Sequence, residues 1–229
     1  MDNLSKLYDN IYKRYRTVNS ILSIGLDSYW RKQLIKELKK INPSPKKICD
    51  ICSGTGDLTE LLAENFKKSH IIAIDANEKM LEIATQKIHY KNVEFIKSDI
   101  RKIPFDDNTF DCVTISFATR NIYFSSKFDK IIKEIKRILK TNGVFIGVDV
   151  ITHPNKIINL FSKTYIEIAI FLINFINPSY TSSYNFLKNS IFSFKLKNFE
   201  KIITENFGNF KIKRILPGNI LIHISRKLT

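Results

Sequence analysis

The chain has 229 residues, of which 44% are hydrophobic, enough to build one well-packed domain with a small lid. Its formal net charge of +15 suggests two kinds of partner, nucleic acid and anionic membrane, because both carry dense negative charge. The lysines are spread along the chain among many Ile and Asn residues, a composition typical of an AT-rich genome. Because no basic stripe is interleaved with aromatic residues, we expect no nucleic-acid partner.

The cysteines bear on compartment and metal binding. Three cysteines are an odd number in a chain without a recognisable signal peptide, so we expect a reducing cytoplasm. Cys49 and Cys52 have a CxxC spacing, but no second Cys or His pair follows at the distance that zinc ligands require. Cys49 also falls inside a predicted buried strand. The sequence therefore predicts no metal site.

Helices and strands alternate in the first two thirds of the chain. A helix, SYWRKQLIKELKKI, ends before Pro43 and Pro45, which cannot continue it. Then come the strand KKICDI, the turn CSGTGD, a helix near residues 57–67, the strand HIIAID, a helix from about Asn77 and the strand NVEFIK. The strand FDCVTISF, the helix KFDKIIKEIKRIL and the strand GVFIGVDV follow. This alternation predicts parallel strands joined by right-handed helical crossovers.

The last third has a different pattern. The stretch IEIAIFLINFIN at residues 166–177 is apolar but too short to span a bilayer, and is typical either of a packed core helix or of an interfacial helix bordering a lipid-like substrate. Two final strands, NFKIKRIL and NILIHISRK, are joined through Pro217 and Gly218, a turn short enough to make them antiparallel. We therefore predict an α/β fold. It has a doubly wound, mostly parallel seven-stranded sheet, an antiparallel C-terminal hairpin and a helical insertion before the last two strands.

Four consecutive strand ends carry residues suited to a ligand, and doubly wound sheets bind ligands outside the carboxyl ends of their strands. Gly54 and Gly56 lie where the first strand turns into its helix and let a ligand approach the backbone. Asp75 ends the second strand, where dinucleotide folds place an acid for ribose hydroxyls. Asp99 follows the third strand and Ser116 ends the fourth. The turn lacks both the third glycine of GxGxxG and a P-loop lysine, which favours a smaller adenosine cofactor over NAD or FAD.

Several motifs together resemble one family. DICSGTGDL, IDANEKML, IPFDDNTFD and VTISFATRN are similar to motifs of the ubiquinone and menaquinone biosynthesis C-methyltransferases, which are class I, Rossmann-like enzymes. NSILSIGLDSYWRK and SYNFLKNSIFSF extend the resemblance to nearly the whole chain. The resemblance implies S-adenosyl-L-methionine as cofactor. It also implies a set of cofactor-contacting residues in and after the first four strands: Asp50, Gly54, Thr55, Gly56, Asp75, Asp99, Ile100 and Ser116.

Three positions depart from the family pattern. Ala118 and Thr119 stand where Gly-Leu or Gly-Ile usually precedes Arg-Asn. Arg16 replaces the Asp that usually follows the family's tyrosine, here Tyr15, and TNG replaces Pro-Gly-Gly before the fifth strand. The change after Tyr15 affects the expected contact of an N-terminal lid, whereas none of the three removes a cofactor residue.

The chemistry of methyl transfer to carbon suggests catalytic candidates. The reaction is an in-line displacement, so the enzyme mainly positions donor and acceptor. A quinol carbon becomes nucleophilic as its neighbouring hydroxyl loses a proton, and a nearby cation would stabilise that oxygen. We predict that Arg120 and Asn121 orient the acceptor, although a purely structural clamp between Arg120 and Asp149 is also compatible with the sequence. Asp149 and His153 are candidates for taking the proton, with water as the remaining acceptor, and Tyr15, at the position of the family's tyrosine, would close over the ring.

We expect one methyltransferase domain with four parts. They are an N-terminal helical lid (1–42), a cofactor-binding core (43–154), a helical substrate insertion (155–195) and a final helix with the antiparallel strands (196–229). The insertion is rich in Phe, Ile and Tyr, which suits a prenylated quinol with a long tail. Lysines around it would permit peripheral contact with the inner face of the membrane.

The sequence does not fix the methyl acceptor. Demethylmenaquinol is favoured over a ubiquinone-pathway benzoquinol, because the composition suggests a bacterium with a reduced AT-rich genome. Three further functions are compatible with the sequence: methylation of a different lipid-like phenol, methylation of RNA, and cofactor binding without turnover. A homo-oligomer is compatible with the sequence but not indicated by it.

Overall fold

The protein, described here from a computed structural model, has a defined structure over residues 15–124, 127–176, 178, 181–215 and 218–228. The helices in these ranges are α1 (Tyr15–Leu22), α2 (Asp27–Ile41), α3 (Asp57–Asn65), α4 (Glu78–Lys87), α5 (Thr119–Tyr123), α6 (Phe128–Ile138), α7 (Lys156–Ile176), α8 (Thr181–Ser193) and α9 (Leu196–Phe207). The strands are β1 (Lys47–Ile51), β2 (His70–Asp75), β3 (Val93–Lys97), β4 (Phe110–Ser116), β5 (Leu139–Val150), β6 (Lys211–Ile215) and β7 (Ile220–Arg226).

The strands form one seven-stranded sheet in the order β3-β2-β1-β4-β5-β7-β6. The first five pair in parallel, and β7 pairs antiparallel with both β5 and β6. This confirms the predicted mostly parallel sheet with an antiparallel C-terminal hairpin. Because β2 and β4 lie on opposite sides of β1, the strand order reverses there, and such a switch point leaves a crevice at the carboxyl ends of β1 and β4.

Helices cover both faces of the sheet because successive strand residues point to opposite sides. Val113 of β4 belongs to a core that contains Ile131 of α6 and Phe199 of α9. Its neighbour Cys112 belongs to the core on the other face, which contains Leu34 of α2. The near-continuous apolar strands are therefore explained by burial on both sides.

The segment between β5 and α9 forms a separate helical pair, α7 and α8. Ile170 and Ile173 of α7 pack with Tyr184 of α8 and Leu22 of α1. The apolar stretch was predicted to be too short to span a bilayer, and this was wrong for the helix as a whole. Helix α7 has 21 residues, and its part from Lys156 to Phe175 is long and apolar enough to cross a membrane by length and composition alone.

Candidate active site

The turn after β1 has the conformation that its glycines predict. Gly54 and Gly56 have φ values of 55° and 78°, in the left-handed region that glycine adopts without strain. A Cβ added at Gly56 would lie 2.5 Å from Cδ1 of Ile88, so a side chain at this position would displace its neighbour. Cys52 opens the turn with a φ of 52° and is the non-glycine residue that carries local strain.

Asp75 holds this turn from the end of β2. Its Oδ2 accepts a hydrogen bond from the Gly54 N–H at 2.9 Å, and its Oδ1 accepts one from the Asn77 N–H at 2.8 Å. Burial raises the pKa of Asp75, whereas these backbone hydrogen bonds lower it. The carboxylate is thus fixed at the carboxyl edge of the sheet, beside the glycine turn.

Asp50 has a different environment from the other predicted cofactor residues. It is buried within β1, and its two oxygens accept hydrogen bonds from Thr59 Oγ1 at 2.6 Å and Thr114 Oγ1 at 2.8 Å. Burial raises the pKa of Asp50 to about 6. With both oxygens occupied below the turn, the carboxylate ties β1 to α3 and β4, and the geometry favours a structural role.

The remaining predicted cofactor residues lie at the ends of β3 and β4 and in the turn. Asp99 pairs with Arg101, whose Nε donates to Asp99 Oδ2 at 2.7 Å; burial alone would raise the Asp99 pKa, but these bonds lower it. Ile100 is buried. In the turn, Thr55 Oγ1 donates to Asp57 Oδ2 at 3.2 Å, and the fourth strand end, Ser116, contacts Arg31.

Arg31 is a residue that the sequence did not single out. Its Nη1 donates to Asp27 Oδ2 at 2.5 Å, its Nε lies 3.4 Å from Ser116 Oγ, and its Nη2 lies 3.9 Å from Asp57 Oδ2. The guanidinium carbon also lies 4.8 Å from the centre of the Phe117 ring. Arg31 is buried and therefore places a cation between the glycine turn and the end of β4. In the sequence it is one of several basic residues on an amphipathic helix, so no local signal distinguishes it.

A cavity of about 340 Å³ lies next to this crevice. Its wall is predominantly apolar, and its charged lining residues are Asp27 and Arg120. The apolar lining comes from α1, α2, the end of β4, α7 and α8, and includes Leu22, Trp30, Phe117, Phe161, Leu187 and Ile191. The insertion predicted to select the substrate therefore contributes directly to the wall.

Arg120 and Asp149 form a buried ion pair at this cavity. The Arg120 guanidinium pairs with the Asp149 carboxylate, which also accepts a hydrogen bond from the Arg120 backbone N–H at 3.0 Å. Arg120 Nε donates to Ser190 Oγ of α8 at 3.2 Å. Asn121 follows in α5 and is also buried. The structural clamp between Arg120 and Asp149 is therefore present, and Arg120 nevertheless lines the cavity.

Two other candidates lie elsewhere. His153 lies after β5: its Nδ1 accepts a hydrogen bond from the Asn155 N–H at 3.0 Å, and its ring lies against Gly218. Tyr15 begins α1, but its side chain lies outside the described residues. Within the described ranges, no group of three His, Cys, Asp or Glu side chains could hold a metal ion.

The comparison with known families identifies the chain. The model of the ubiE/COQ5 methyltransferase family matches residues 2–227. The chain belongs to this family. A demethylmenaquinone methyltransferase of Lactobacillus johnsonii is 31% identical over 96% of this chain and 91% of its own length. One of Thermotoga maritima is 35% identical over 70% of this chain and 69% of its own. The ubiE/COQ5 chain also shares its fold with a solved SAM-dependent methyltransferase of Thermotoga maritima, at a TM-score of 0.63 and 17% identity, over 99% of this chain and 100% of that one.

This ubiE/COQ5 protein is therefore a methyltransferase that depends on S-adenosyl-L-methionine. The crevice suits that cofactor. The glycine turn and the Asp75 carboxylate lie together at the carboxyl edge of the sheet. Arg31 and Asp57 place opposite charges beside this turn, and Asp57 also pairs with Lys87 Nζ at 3.0 Å.

Proposed function

We propose that this enzyme transfers a methyl group from S-adenosyl-L-methionine to a ring carbon of demethylmenaquinol, a prenylated quinol, giving menaquinol. The observation that carries the proposal is the near full-length similarity to demethylmenaquinone methyltransferases. An apolar cavity with a single buried arginine supports it, because a quinol has an apolar tail and a polar ring. In this proposal the insertion at residues 155–195 contacts the substrate through the side chains that line the cavity, such as Phe161, Ile166 and Leu187.

The cofactor supplies an electrophilic methyl group on a sulfonium. The protein holds it through the glycine turn, with Gly54, Thr55 and Gly56 presenting backbone, and through Asp75 at the ribose. Asp99 and Ile100 flank the adenine, and Ser116 with Arg31 faces the amino-acid part. Asp50 supports this turn from below through its two threonines.

Arg120 acts on the acceptor. A guanidinium that lines an apolar cavity meets the ring oxygen in a low-dielectric environment, where its charge stabilises a developing phenolate strongly. Asp149 holds the guanidinium in place, and the Ser190 hydroxyl fixes its orientation from α8. Asn121, in the same short helix, orients the second polar group of the ring.

The proton of the acceptor hydroxyl leaves to water. Asp149 is already engaged with Arg120 through its carboxylate, so protonating it would weaken the pair that holds the cation. We assign Asp149 to positioning for this reason. In this proposal Tyr15, from the predicted N-terminal lid, closes over the ring.

The test is methyl transfer from labelled S-adenosyl-L-methionine, with demethylmenaquinol and the demethylated ubiquinol precursor offered in parallel. Label in the naphthoquinol alone supports the proposal, and label in both indicates an enzyme that serves both rings. If the protein binds the cofactor but labels neither, the proposed acceptor is wrong. An Arg120→Met variant run beside the wild type shows whether the cavity cation is needed for turnover.

The enzyme is cytoplasmic in this proposal and works at the inner face of the membrane, because a quinol with a long prenyl tail partitions into lipid. It needs no nucleic acid.

A further inference from the structure

Helix α7 is apolar on two faces, and the fold buries one of them. Ala169, Ile170 and Ile173 face the protein and pack with α8 and α1. The core helix of a soluble protein would bury most of its apolar side chains, yet only 22% of the most apolar stretch of α7 is buried. The second face therefore has no partner within the described residues.

The outward face forms an apolar stripe that is interrupted by the exposed Thr164. Its members recur at helical spacings of three, four and seven residues and therefore project on one side. Each of these side chains is between 53% and 78% exposed. Single exposed apolar residues are ordinary on a protein surface, but a cluster of them on one side of a helix is typical of an interaction site. We call this set the α7 stripe: Ile157, Leu160, Phe161, Ile168, Phe171, Leu172 and Phe175.

The α7 stripe continues into the rim of the apolar cavity. Phe161 belongs to both, since it is exposed and also lines the cavity. Ile24 and Leu26, on the connection between α1 and α2, are likewise exposed and line the same cavity. The mouth is therefore bordered by apolar side chains, which suits entry of an apolar molecule from a lipid phase better than from water.

The segment that carries the stripe has a positive net charge. From residue 150 to residue 199 the sequence holds five lysines and one acidic residue, a net charge of +4. The acid, Glu167, lies 4.0 Å from Lys163 on the same helix. Lys156 and Lys163 are both exposed beside the stripe. Lysines next to an exposed apolar face are the arrangement that attracts anionic lipid headgroups.

The helix is held on the surface of the domain and does not leave it. Its inner side packs on Tyr184, Tyr165 Oη donates to the Ile21 carbonyl at 2.7 Å, and Asn219 Nδ2 donates to Ser162 Oγ at 2.7 Å. These contacts tie α7 to α8, to α1 and to the turn before β7. A helix so anchored lies along a bilayer instead of crossing it.

We propose that the α7 stripe is a membrane-docking surface, which buries its side chains at the headgroup and acyl boundary of an anionic bilayer and opens the cavity to the lipid. Docking follows from the exposed stripe and the lysines. The delivery of a prenylated quinol through the mouth rests on the proposed function.

Tryptophan reporters test where the bilayer touches the protein. Trp30 is the single native tryptophan and lines the cavity, so both reporters are introduced in a Trp30→Phe background, where the added tryptophan is the sole source of the signal. Phe171→Trp places the reporter on the stripe, and Tyr90→Trp places it on an exposed aromatic position before β3, at the opposite edge of the sheet. With phosphatidylglycerol vesicles we expect a blue shift and quenching by brominated lipid for Phe171→Trp and neither for Tyr90→Trp. Equal responses, or none, would overturn the proposal.

Flotation with vesicles gives a second measurement that needs no substrate. The double variant Phe171→Asp with Phe175→Asp should float at least roughly tenfold less than wild type, because two large apolar groups lose their burial. Tyr90→Asp is the matched control and should float like wild type. Vesicles of phosphatidylcholine alone, or high salt, should also weaken binding. If light scattering instead shows a wild-type dimer that the double variant splits, with no flotation by either, the stripe joins two copies and the proposal is wrong.

Methyl transfer to a short-chain quinol in solution separates this proposal from the proposed function. The double variant should retain wild-type turnover on that acceptor and lose it on a long-chain quinol embedded in vesicles. Wild-type protein that floats but methylates neither quinol would retain the docking surface and reject the acceptor. Wild-type protein that methylates both without floating would reject the docking surface alone.

Discussion

Arg120 of α5 and Asp149 of β5 form a buried ion pair, and the arginine side of that pair lines the apolar cavity. Each side chain is about 5% exposed or less, so neither charge is compensated by solvent. A buried pair is costly to break, because removal of one partner strands the other charge. The same ion pair therefore stabilises the contact between α5 and β5 and holds the Arg120 guanidinium at the acceptor site.

Replacement of Arg120 by Lys keeps the charge but loses the planar fork that contacts Asp149 and Ser190 together. We expect turnover to fall roughly a hundredfold, the scale seen for removal of one oxyanion-stabilising group. Cofactor affinity should stay the same, since Asp149 and Ser190, which bind the Arg120 guanidinium, lie outside the glycine turn. Steady-state kinetics with calorimetric cofactor binding measures both. Arg137→Lys, which alters the ion pair between Arg137 and Glu134 on α6, is the control and should leave turnover unchanged. Near-normal turnover in Arg120→Lys would show that Arg120 has only a structural role, in its ion pair with Asp149.

Replacement of Asp75 by Asn should weaken cofactor binding, because a neutral amide is a poorer acceptor for ribose hydroxyls and for the Gly54 N–H. We expect the dissociation constant to rise about tenfold, the effect of losing one charge-assisted hydrogen bond. Isothermal titration calorimetry checks this. Glu94→Gln, an exposed carboxylate on the neighbouring strand β3, is the matched control. An unchanged affinity in Asp75→Asn would remove Asp75 from the cofactor site.

Arg31 should select for the carboxylate of the cofactor's amino-acid part. Its cation lies between Asp57 and Ser116, with Asp27 holding it from α2. Wild-type protein should therefore bind S-adenosyl-L-methionine more tightly than its decarboxylated analogue. In Arg31→Gln that preference should shrink by about tenfold, as expected for one charged hydrogen bond. Competition binding with the two compounds measures the ratio. If Arg31→Gln binds both compounds more weakly by the same factor, Arg31 only supports the fold.

Asp50 gives a prediction about pH and stability. Burial raises its pKa to about 6 in the folded protein, above the ordinary value of about 3.9 in the unfolded chain. The folded state thus holds the proton more tightly, so this group's contribution to stability is greatest below pH 4 and is lost as the pH rises through 6. The loss is on the order of 3 kcal/mol in the free energy of unfolding.

The Asp50→Asn variant removes that titration while keeping the side-chain volume between Thr59 and Thr114. Denaturant unfolding at pH 4.5 and pH 7 should show the variant gaining stability relative to wild type at the higher pH. Asp111→Asn should do the opposite in a lower window, below about pH 4, so this variant is compared with wild type at about pH 3 and at pH 7. Burial would raise the Asp111 pKa, but the hydrogen bond from Lys140 and those from the backbone leave it lowered, so its stabilisation is lost as the pH falls. A parallel response of the two variants would contradict the assignment.

Much of the fold could be predicted from the sequence because its signals are local. The alternation of apolar runs with segments of helical periodicity predicted parallel strands, and the short connection at Gly218 predicted the antiparallel hairpin. The glycines at 54 and 56 and the acid at 75 were predictable for the same reason, since parallel strands bring their carboxyl ends to one edge. The extent of β5 was less predictable. It begins at Leu139, before the predicted Gly143, because Leu139 pairs with Phe110 across an irregularity in β4.

Other features depended on contacts between distant segments. Arg31 meets Ser116 across 85 positions, and the Asp50 carboxylate is occupied by threonines from α3 and β4, which no motif specifies. Helix α7 is the clearest case. Its composition is the same whether an apolar face is buried or exposed, so the sequence determined only that the helix is apolar. The tertiary structure decided which face packs and which remains outside, because burial depends on the neighbours that the fold brings to each side.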